Sequence, residues 1–587
     1  MRLHRTTQGF TMVEIILTVA LFGMLSLAVL SAFIYGRESS ALSNDRSRAS
    51  QIANEALEAV RNIETSSYSN LASYINGTTY YLTTVSNQWS LITTPQTVDG
   101  KYSRTVIFSD GPNGSRQVTV TVGWQQNVVR TGTITAVGYL TNWRAVTAAP
   151  EKTGIFVYAN GGTTVDTMSY RLLQNTGLWT NALPFPDVDS STTNRVARSV
   201  KLYSAQTGSA KMVLSRHYNG SNMYLYGTYW NGSSFTAPSL LGSWSDPSSS
   251  SADSGNYSGG FMADGTFVAT YNDKTNFPKY RSFNGANWGT QGSLPSLGSS
   301  GTYPSGVALK ARPSANEAMV IMIVTDGSTR TSYFANGAWS SYTTHATLSN
   351  NQNKIIDLDW SLADKTKAAI VFNSGNSDRS LDGRIFTANG SGGGSWSSVV
   401  STGNQPTGST IGSVGVFGRP STTAEFMACD KTTQTTPRIY CYMLTTSPVA
   451  FATPINNLVT SATDSGGQRS FDLGYELLSG SSGLNAYSDA TSSAKLKLYD
   501  SATSTWGTTS IALPNASGTV QKTRVVAKPN SSDDMIIVAD ANKNLSSVMY
   551  NGTNNILYAT PAGKAWTSHS TNGPSNSAVW FDFAWDS

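Results

Sequence analysis

Cysteine, histidine and charge are all scarce in this 587-residue chain. Its two cysteines, Cys429 and Cys441, are too few for a disulfide-dense scaffold or a cysteine-rich zinc module. The four histidines, His4, His217, His345 and His569, show no His-x-x-His or His-Glu spacing, which argues against a metal hydrolase. No Gly-x-Ser-x-Gly elbow sits between strand-like and helix-like stretches, so a serine nucleophile has no place to stand. Charged residues are 13% of the chain and the net charge is +5, with no basic cluster, which excludes a nucleic-acid surface. The expectation is a protein with no cofactor and no catalytic constellation, although scattered carboxylates leave a surface hydrolase as an alternative.

Serine, threonine, glycine and asparagine abound instead, and aromatics reach 10%. That blend fits exported β-rich proteins, where turns are frequent and strands carry aromatic and β-branched side chains. The length implies about three or four units or one large repeat array. One long hydrophobic run stands out. From Ile15 to Tyr35 there is no charge, and the run is long enough to cross a bilayer as a helix at ~1.5 Å per residue. A short basic leader with Arg2, His4 and Arg5 precedes it, and the small residue Gly9 lies before the run. A secretory signal would carry its small-residue cleavage site after the run. Glu14 is a lone carboxylate at the edge of the apolar span, a costly and typically functional placement.

Gly9, Phe10 and Glu14 at this spacing resemble the class III leader of type IV pilins and pseudopilins. The resemblance implies cleavage by a prepilin peptidase after Gly9 (residues 1–9 being the leader) and N-methylation of Phe10. It also implies pairing of Glu14 with the N-terminal amine of a neighbouring pilin during filament assembly, after residence in the inner membrane. Gln8 stands where a basic residue is frequent and Ser31 where many major pilins have proline, which favours a minor pilin or pseudopilin. A plain membrane anchor is the simpler alternative.

Residues 10–64 read as one stalk helix, with 10–35 spanning the membrane and Ile52, Leu57, Val60 and Ile63 on one later face. Strands at Tyr80–Val85, Tyr102–Phe108, Gln117–Trp124 and Thr131–Leu140, with a turn at Gly111-Pro112-Asn113-Gly114, predict a small antiparallel sheet over 65–147. Gln51–Asn62 and Tyr139–Arg144 are similar to minor pilins of the pilus-modification type. This is an α+β pilin module, followed by a linker over 148–152.

From residue 153 to 587 the chain repeats. Asn-Gly pairs at Asn231, Asn284, Asn336 and Asn389 follow one another at intervals of 53, 52 and 53 residues, and Asn551 lies 162 further on. Asn-Gly between alternating runs signals a hairpin. Each period divides into four short strands, the unit of a β-propeller blade. Second strands fall near Ile155, Met212, Phe267, Met319, Ala368, Phe426, Leu484 and Met535, predicting an all-β propeller of eight blades, with seven as the alternative. Val579–Trp585 resembles the leading strands Ile355–Trp360 and Ser470–Tyr475, and is expected to supply the first copy's missing strand and close the ring.

Cys429 and Cys441 face each other across a predicted hairpin, either as a disulfide or as two buried thiols. An Asp or Asn recurs after each second strand (Asn160, Asn219, Asp273, Asp326, Asn373, Asp430, Asp489, Asp540), explained by turn chemistry or by a polar or Ca²⁺-binding face. Trp288, Trp339, Trp396 and Trp506 recur at equivalent strand starts, for packing between blades or for stacking on sugar. The Trp-bearing turns lack the Asp-box of sialidases. The reading is a minor pilin-like protein presenting a propeller to an unknown surface ligand or glycan. A secretion pseudopilin contacting cargo and a displayed hydrolase are the alternatives.

Overall fold

The computed structural model describes residues 11–66, 74–85, 88–111, 116–126, 129–140, 152–160, 167–175, 177–188, 195–245, 256–347, 355–374, 379–404, 410–420, 425–433, 437–452, 469–480, 482–552, 556–558, 567–570 and 580–587. Its contacts divide the chain into two compact units, Met1–Ala149 and Pro150–Ser587.

In the first unit a 55-residue helix, α1 (Met12–Ser66), changes character along its length. Over Met12–Tyr35 its large apolar side chains are exposed, Phe22 at 70% and Tyr35 at 77%. From Ala49 the small and β-branched residues Ala49, Ile52, Ala53, Ala56, Val60 and Ile63 form a fully buried stripe at helical spacing. That stripe packs on a sheet of β1 (Thr79–Val85), β2 (Gln88–Ile92), β3 (Thr97–Val98), β4 (Tyr102–Asp110), β5 (Arg116–Gln125) and β6 (Thr131–Leu140). The order is β2-β1-β4-β5-β6, with β3 on β4. The sequence reading found four of these strands and missed β2 and β3, which are short and interrupted by polar residues. Asp45 on α1 takes hydrogen bonds from Lys101 and the Tyr102 hydroxyl, and Arg48 pairs with Asp99 at 2.8 Å, fixing helix to sheet. Residues 112–114 of the expected turn, and Thr141–Arg144, lie outside the described residues.

The second unit is all β. Its described strands form eight antiparallel sheets, here numbered by their leading strands: Val196–Ser204, Tyr257–Phe261, Pro304–Ala311, Ile356–Trp360, Ile411–Gly418, Phe471–Tyr475, Val520–Ala527 and Phe581–Trp585. Sheets one to seven run consecutively outward from their leading strands. Sheet eight is composite: Phe581–Trp585 pairs with Lys152–Ala159 in the register Phe581↔Tyr158 to Trp585↔Gly154. All eight second-strand positions read from the sequence fall in second strands.

Where four strands are expected in each period, the fourth of sheet three is in fact two pieces, Ala338–Trp339 and Thr343–Ala346, both on Thr329–Ala335. The hydroxyl of Ser340 accepts the Tyr333 N–H at 3.0 Å, replacing a backbone acceptor where the ladder breaks. Thr180, Thr236 and Ser397, each just after an aromatic, do the same for Leu172, Tyr229 and Ile385.

Adjacent leading strands are tied by a device that recurs at every second sheet. The second residue of sheets two, four, six and eight is Ser258, Asp357, Asp472 and Asp582. Each accepts a backbone N–H from the next leading strand: Leu309 (3.0 Å), Val416 (3.1 Å), Val525 (2.9 Å) and Leu202 (2.9 Å). Those donors lie 107, 107 and 109 residues apart, counted from Leu202. At the ends of sheets four and eight, the Trp360 and Trp585 indoles donate backward to the carbonyls of Lys310 and Val526. The repeat therefore spans two sheets, twice the period of the Asn-Gly pairs.

Candidate functional site

At the start of α1, Thr11 and Glu14 form a reciprocal cap. The Thr11 N–H and hydroxyl donate to Glu14 Oε2 at 2.9 and 3.0 Å, and the Glu14 N–H donates to Thr11 Oγ1 at 3.4 Å. The carboxylate thus points back at the end of the helix where Phe10 attaches. Gly9 and Phe10 lie outside the described residues.

Cys429 and Cys441 are directly opposite one another on adjacent strands of sheet five, buried and joined as a disulfide, with Cα atoms 4.1 Å apart. The Asn485 amide lies 3.4 Å from Cys441 Sγ, and the bond faces the core rather than any cleft.

The recurring Asp and Asn residues have local duties. Asn219, Asp273, Asp326 and Asp489 accept N–H groups two residues on, as turn-forming side chains do. Asn160 donates to Ser169, and Asn373 and Asp430 are buried. Asp540 accepts from the Ser517 hydroxyl and from the N–H groups of Gly518 and Asn544. Those protein donors engage both carboxylate oxygens. Among the described residues no three His, Cys, Asp or Glu side chains are grouped to hold a metal.

The recurring tryptophans are packed. Trp339 contacts Phe334 and, across a sheet boundary, Tyr280; Trp506 contacts Tyr499 and is 8% exposed. Trp396 contacts Phe386 and, across the boundary from sheet three, His345; the Trp288 ring fills the space beside Gly227 of sheet one.

The same boundaries carry a feature that was not read from the sequence. The third strands of sheets eight, two, four and six place Arg171, Arg281, Arg384 and Lys497 at one register position, opposite Phe156, Ala269, Ile370 and Asn485. At three of these boundaries the preceding sheet bulges in its last paired strand, at Leu241, His345 and His569. The two histidines are set alike. His345 Nε2 lies 2.8 Å from Thr331 Oγ1 and its ring stands edge-on to Trp396 at 4.5 Å. His569 Nε2 lies 2.7 Å from Ser547 Oγ and its ring stands edge-on to Trp179 at 4.7 Å. Burial and the neighbouring arginines, Arg384 and Arg171, push both imidazoles toward the neutral form, His345 down to about 3. No fixed spacing links the cations to their tryptophans, because the intervening turns differ in length. Only the register reveals the set.

Beside His345 the boundary between sheets three and four opens into a cavity of about 360 Å³. Its wall includes Thr347, Phe372, Asp382, Val399 and Ser401. Phe372 and Asp382 are buried, Val399 is exposed, and the Ser401 hydroxyl donates to Asp382. Arg384 does not reach in as a free cation: Nη1 donates to His345 Nδ1 at 3.0 Å and Nε to the Ser397 carbonyl at 2.7 Å, with the guanidinium over the Trp396 ring. His345, receiving at Nδ1, carries its proton on Nε2 and gives it to Thr331. With both nitrogens engaged it is a wall, not a general base.

No family model matches the chain, and no curated protein matches it. Among solved structures, the BP39L lectin from Burkholderia pseudomallei is similar at 12% identity, covering 64% of this chain and 100% of that one with a TM-score of 0.43. The periplasmic gluconolactonase PpgL of Pseudomonas aeruginosa is similar at 10% identity, with 64% and 100% covered and a TM-score of 0.37. The fucose-specific lectin from Aleuria aurantia gives 14% identity, 64% and 96% coverage and a TM-score of 0.33. At such scores these likenesses carry no argument, and the architecture described here rests on the chain's own strand pairing.

Proposed function

We propose that this chain is a minor type IV pilin-like protein that displays a closed eight-bladed propeller for adhesion through glycan binding. The observation that carries the stalk is the division of α1: its second half is buried on its own sheet, while over Met12–Tyr35 the large apolar side chains are exposed. That apolar length suits a bilayer first and a bundle of like helices afterwards. In this reading the chain is cut between Gly9 and Phe10 by a prepilin peptidase and methylated on Phe10. The new amine then meets the Glu14 carboxylate of a neighbouring pilin, and the reciprocal cap already turns Glu14 toward its own helix end. Ring closure is supported by the composite sheet eight and by the hydrogen bonds from Leu202 to Asp582 and from Trp585 to Val526 on its two sides.

A compact unit of roughly 430 residues has a radius of gyration of ~22 Å and so a width of roughly 55 Å. Packed filament helices lie about 8–10 Å apart. Heads of that width crowd if every subunit carries one, so the protein is placed at the tip or sparsely along the fibre. The test is intact mass and N-terminal sequencing of protein from sheared surface fibres. The expected chain begins at N-methylated Phe10 and is a low-copy component. A chain retaining Met1 and found only in membranes, or one forming the bulk of the fibre, overturns the reading.

A further inference from the structure

We propose that Lys201, with Arg469 and Arg524, forms an anion-binding site where the leading strands of the second unit meet, and that its ligand is a small inorganic oxyanion of the phosphate or sulfate kind. The site goes beyond the adhesin reading and does not depend on it.

Charges on the leading strands reach across the sheets to one another. Arg524 of sheet seven bridges its two neighbours, Nη1 donating to Asp472 of sheet six at 3.0 Å and Nε to Asp582 of sheet eight at 3.1 Å. Arg469, just before the leading strand of sheet six, reaches past sheet five and donates to Asp357 of sheet four at 2.9 Å. Gly415 of sheet five leaves the space that Arg469 takes, since a Cβ there would lie 2.6 Å from its Nη1. Lys201 of sheet one lies within the electrostatic reach of Asp582, Arg216, Arg469 and Arg524. Water enters this meeting point: the side chains of Arg524 and Arg469 are 43% and 32% exposed, and Lys201 is half-buried.

The carboxylates here are engaged, and Lys201 is the cation left over. Besides their arginines, Asp357, Asp472 and Asp582 accept the N–H groups of Val416, Val525 and Leu202. Among the described residues Lys201 has no carboxylate within ion-pair distance. Its ammonium donates to the Tyr257 carbonyl at 2.7 Å and lies 4.8 Å from the centre of the Tyr257 ring, so one of its three N–H groups is used. Burial presses it toward the neutral form, and Arg216, Arg469 and Arg524 add to that pressure against Asp582 alone. Arg524 and Arg469 also keep N–H groups beyond those given to the carboxylates. A tetrahedral oxyanion presents acceptors in several directions, which suits cations held on three sheets, and its charge is what Lys201 lacks. A metal ion meets three cationic heads and no open carboxylate, and a neutral ligand leaves the ammonium uncompensated.

The experiment is calorimetric titration of inorganic phosphate, and then of sulfate, into the full-length protein in detergent at fixed ionic strength, with thermal unfolding followed alongside. Lys201→Met removes the charge and keeps most of the bulk, and Lys201→Arg keeps the charge. The expected result is saturable binding at one site per chain, weakened about tenfold or more in Lys201→Met, as loss of one charged hydrogen bond implies, and retained in Lys201→Arg. Millimolar phosphate should raise the melting temperature of wild type and leave that of Lys201→Met in place. General salt stabilisation does not saturate and does not depend on residue 201, so it is told apart. Absence of saturable binding by wild type, or equal binding by wild type and Lys201→Met, overturns the site. If the methionine variant does not fold, the wild-type titration decides by itself.

Discussion

Asp534 is the residue most at odds with its surroundings. It stands in the second strand of sheet seven at the register position that holds Ala318 in sheet three and Phe426 in sheet five. It is 1% exposed, and neither carboxyl oxygen has a hydrogen-bond partner among the described residues. Burial, with Glu476 and Asp533 nearby, pushes its carboxyl well above the ordinary range. Replacing a buried polar group that has no partner by an apolar one removes a desolvation penalty of about 1–3 kcal/mol. Asp534→Ala is therefore expected to stabilise the second unit by about that amount in chemical denaturation. The sign with pH follows from linkage. A raised folded pKa means that the fold holds a proton which the unfolded chain releases above ~3.9, so wild type loses stability as pH rises from there. The gain from Asp534→Ala should be smaller at pH 4.5 than at pH 8, and an equal or destabilising effect at both would show that Asp534 has a partner in solution.

The boundaries between sheets are where sequence reading and structure part company. Sheets one to seven were legible because each is local: hydrophobic runs and the turns between them, Asn-Gly in sheets one to four and seven, lie within about fifty residues, and turn chemistry and strand period act over that range. The composite sheet eight was legible because Val579–Trp585 resembles two other leading strands. The alternation was not, since the bonds from Asp357, Asp472 and Asp582 to the next strand join residues more than fifty positions apart, and the fourth member, Ser258, breaks the pattern. The bulge that carries His345 was hidden too, because nothing in Thr343-Thr344-His345-Ala346 marks an extra residue. The charged ties should be the stronger ones. Asp582 accepts the Leu202 N–H and Arg524 Nε at 3.1 Å, whereas Ser258 offers Leu309 a neutral oxygen. Hydrogen bonds to charged groups contribute about 1.5–3 kcal/mol and neutral ones about 0.5–1.5. Asp582→Ala should cost about 2–3 kcal/mol in chemical denaturation, and Ser258→Ala about 1. Protease cleavage near the C-terminus should also be faster in the first variant. Equal costs would mean that the carboxylates are not what holds the leading strands together.

At the scale of the whole molecule, the few histidines turn from a negative sequence signal into a source of pH dependence. His217, His345 and His569 belong to different sheets; His217 and His569 are buried, His345 is half-buried beside the cavity, and all three are held toward the neutral form. Burial and cationic neighbours press His217 down to about 4, His345 to about 3 and His569 well below its ordinary value. The ring of His217 is fixed between the Arg195 carbonyl at 3.1 Å and the Ser215 hydroxyl at 3.0 Å. A depressed folded pKa leaves stability intact above the unfolded value of ~6.5 and removes it as pH falls toward the folded value, because the unfolded chain takes up protons that the fold refuses. Asp534 works the other way, since the fold keeps a proton that the unfolded chain has lost in the same window. Near pH 5 the three histidines therefore favour proton uptake on unfolding and Asp534 opposes it, so the uptake is larger in Asp534→Ala than in wild type. Unfolding free energies measured from pH 7 to pH 5 should fall in both proteins, more steeply in the variant. A flat profile would mean that the three imidazoles take up protons within the fold, and parallel slopes would mean that Asp534 is ionised there.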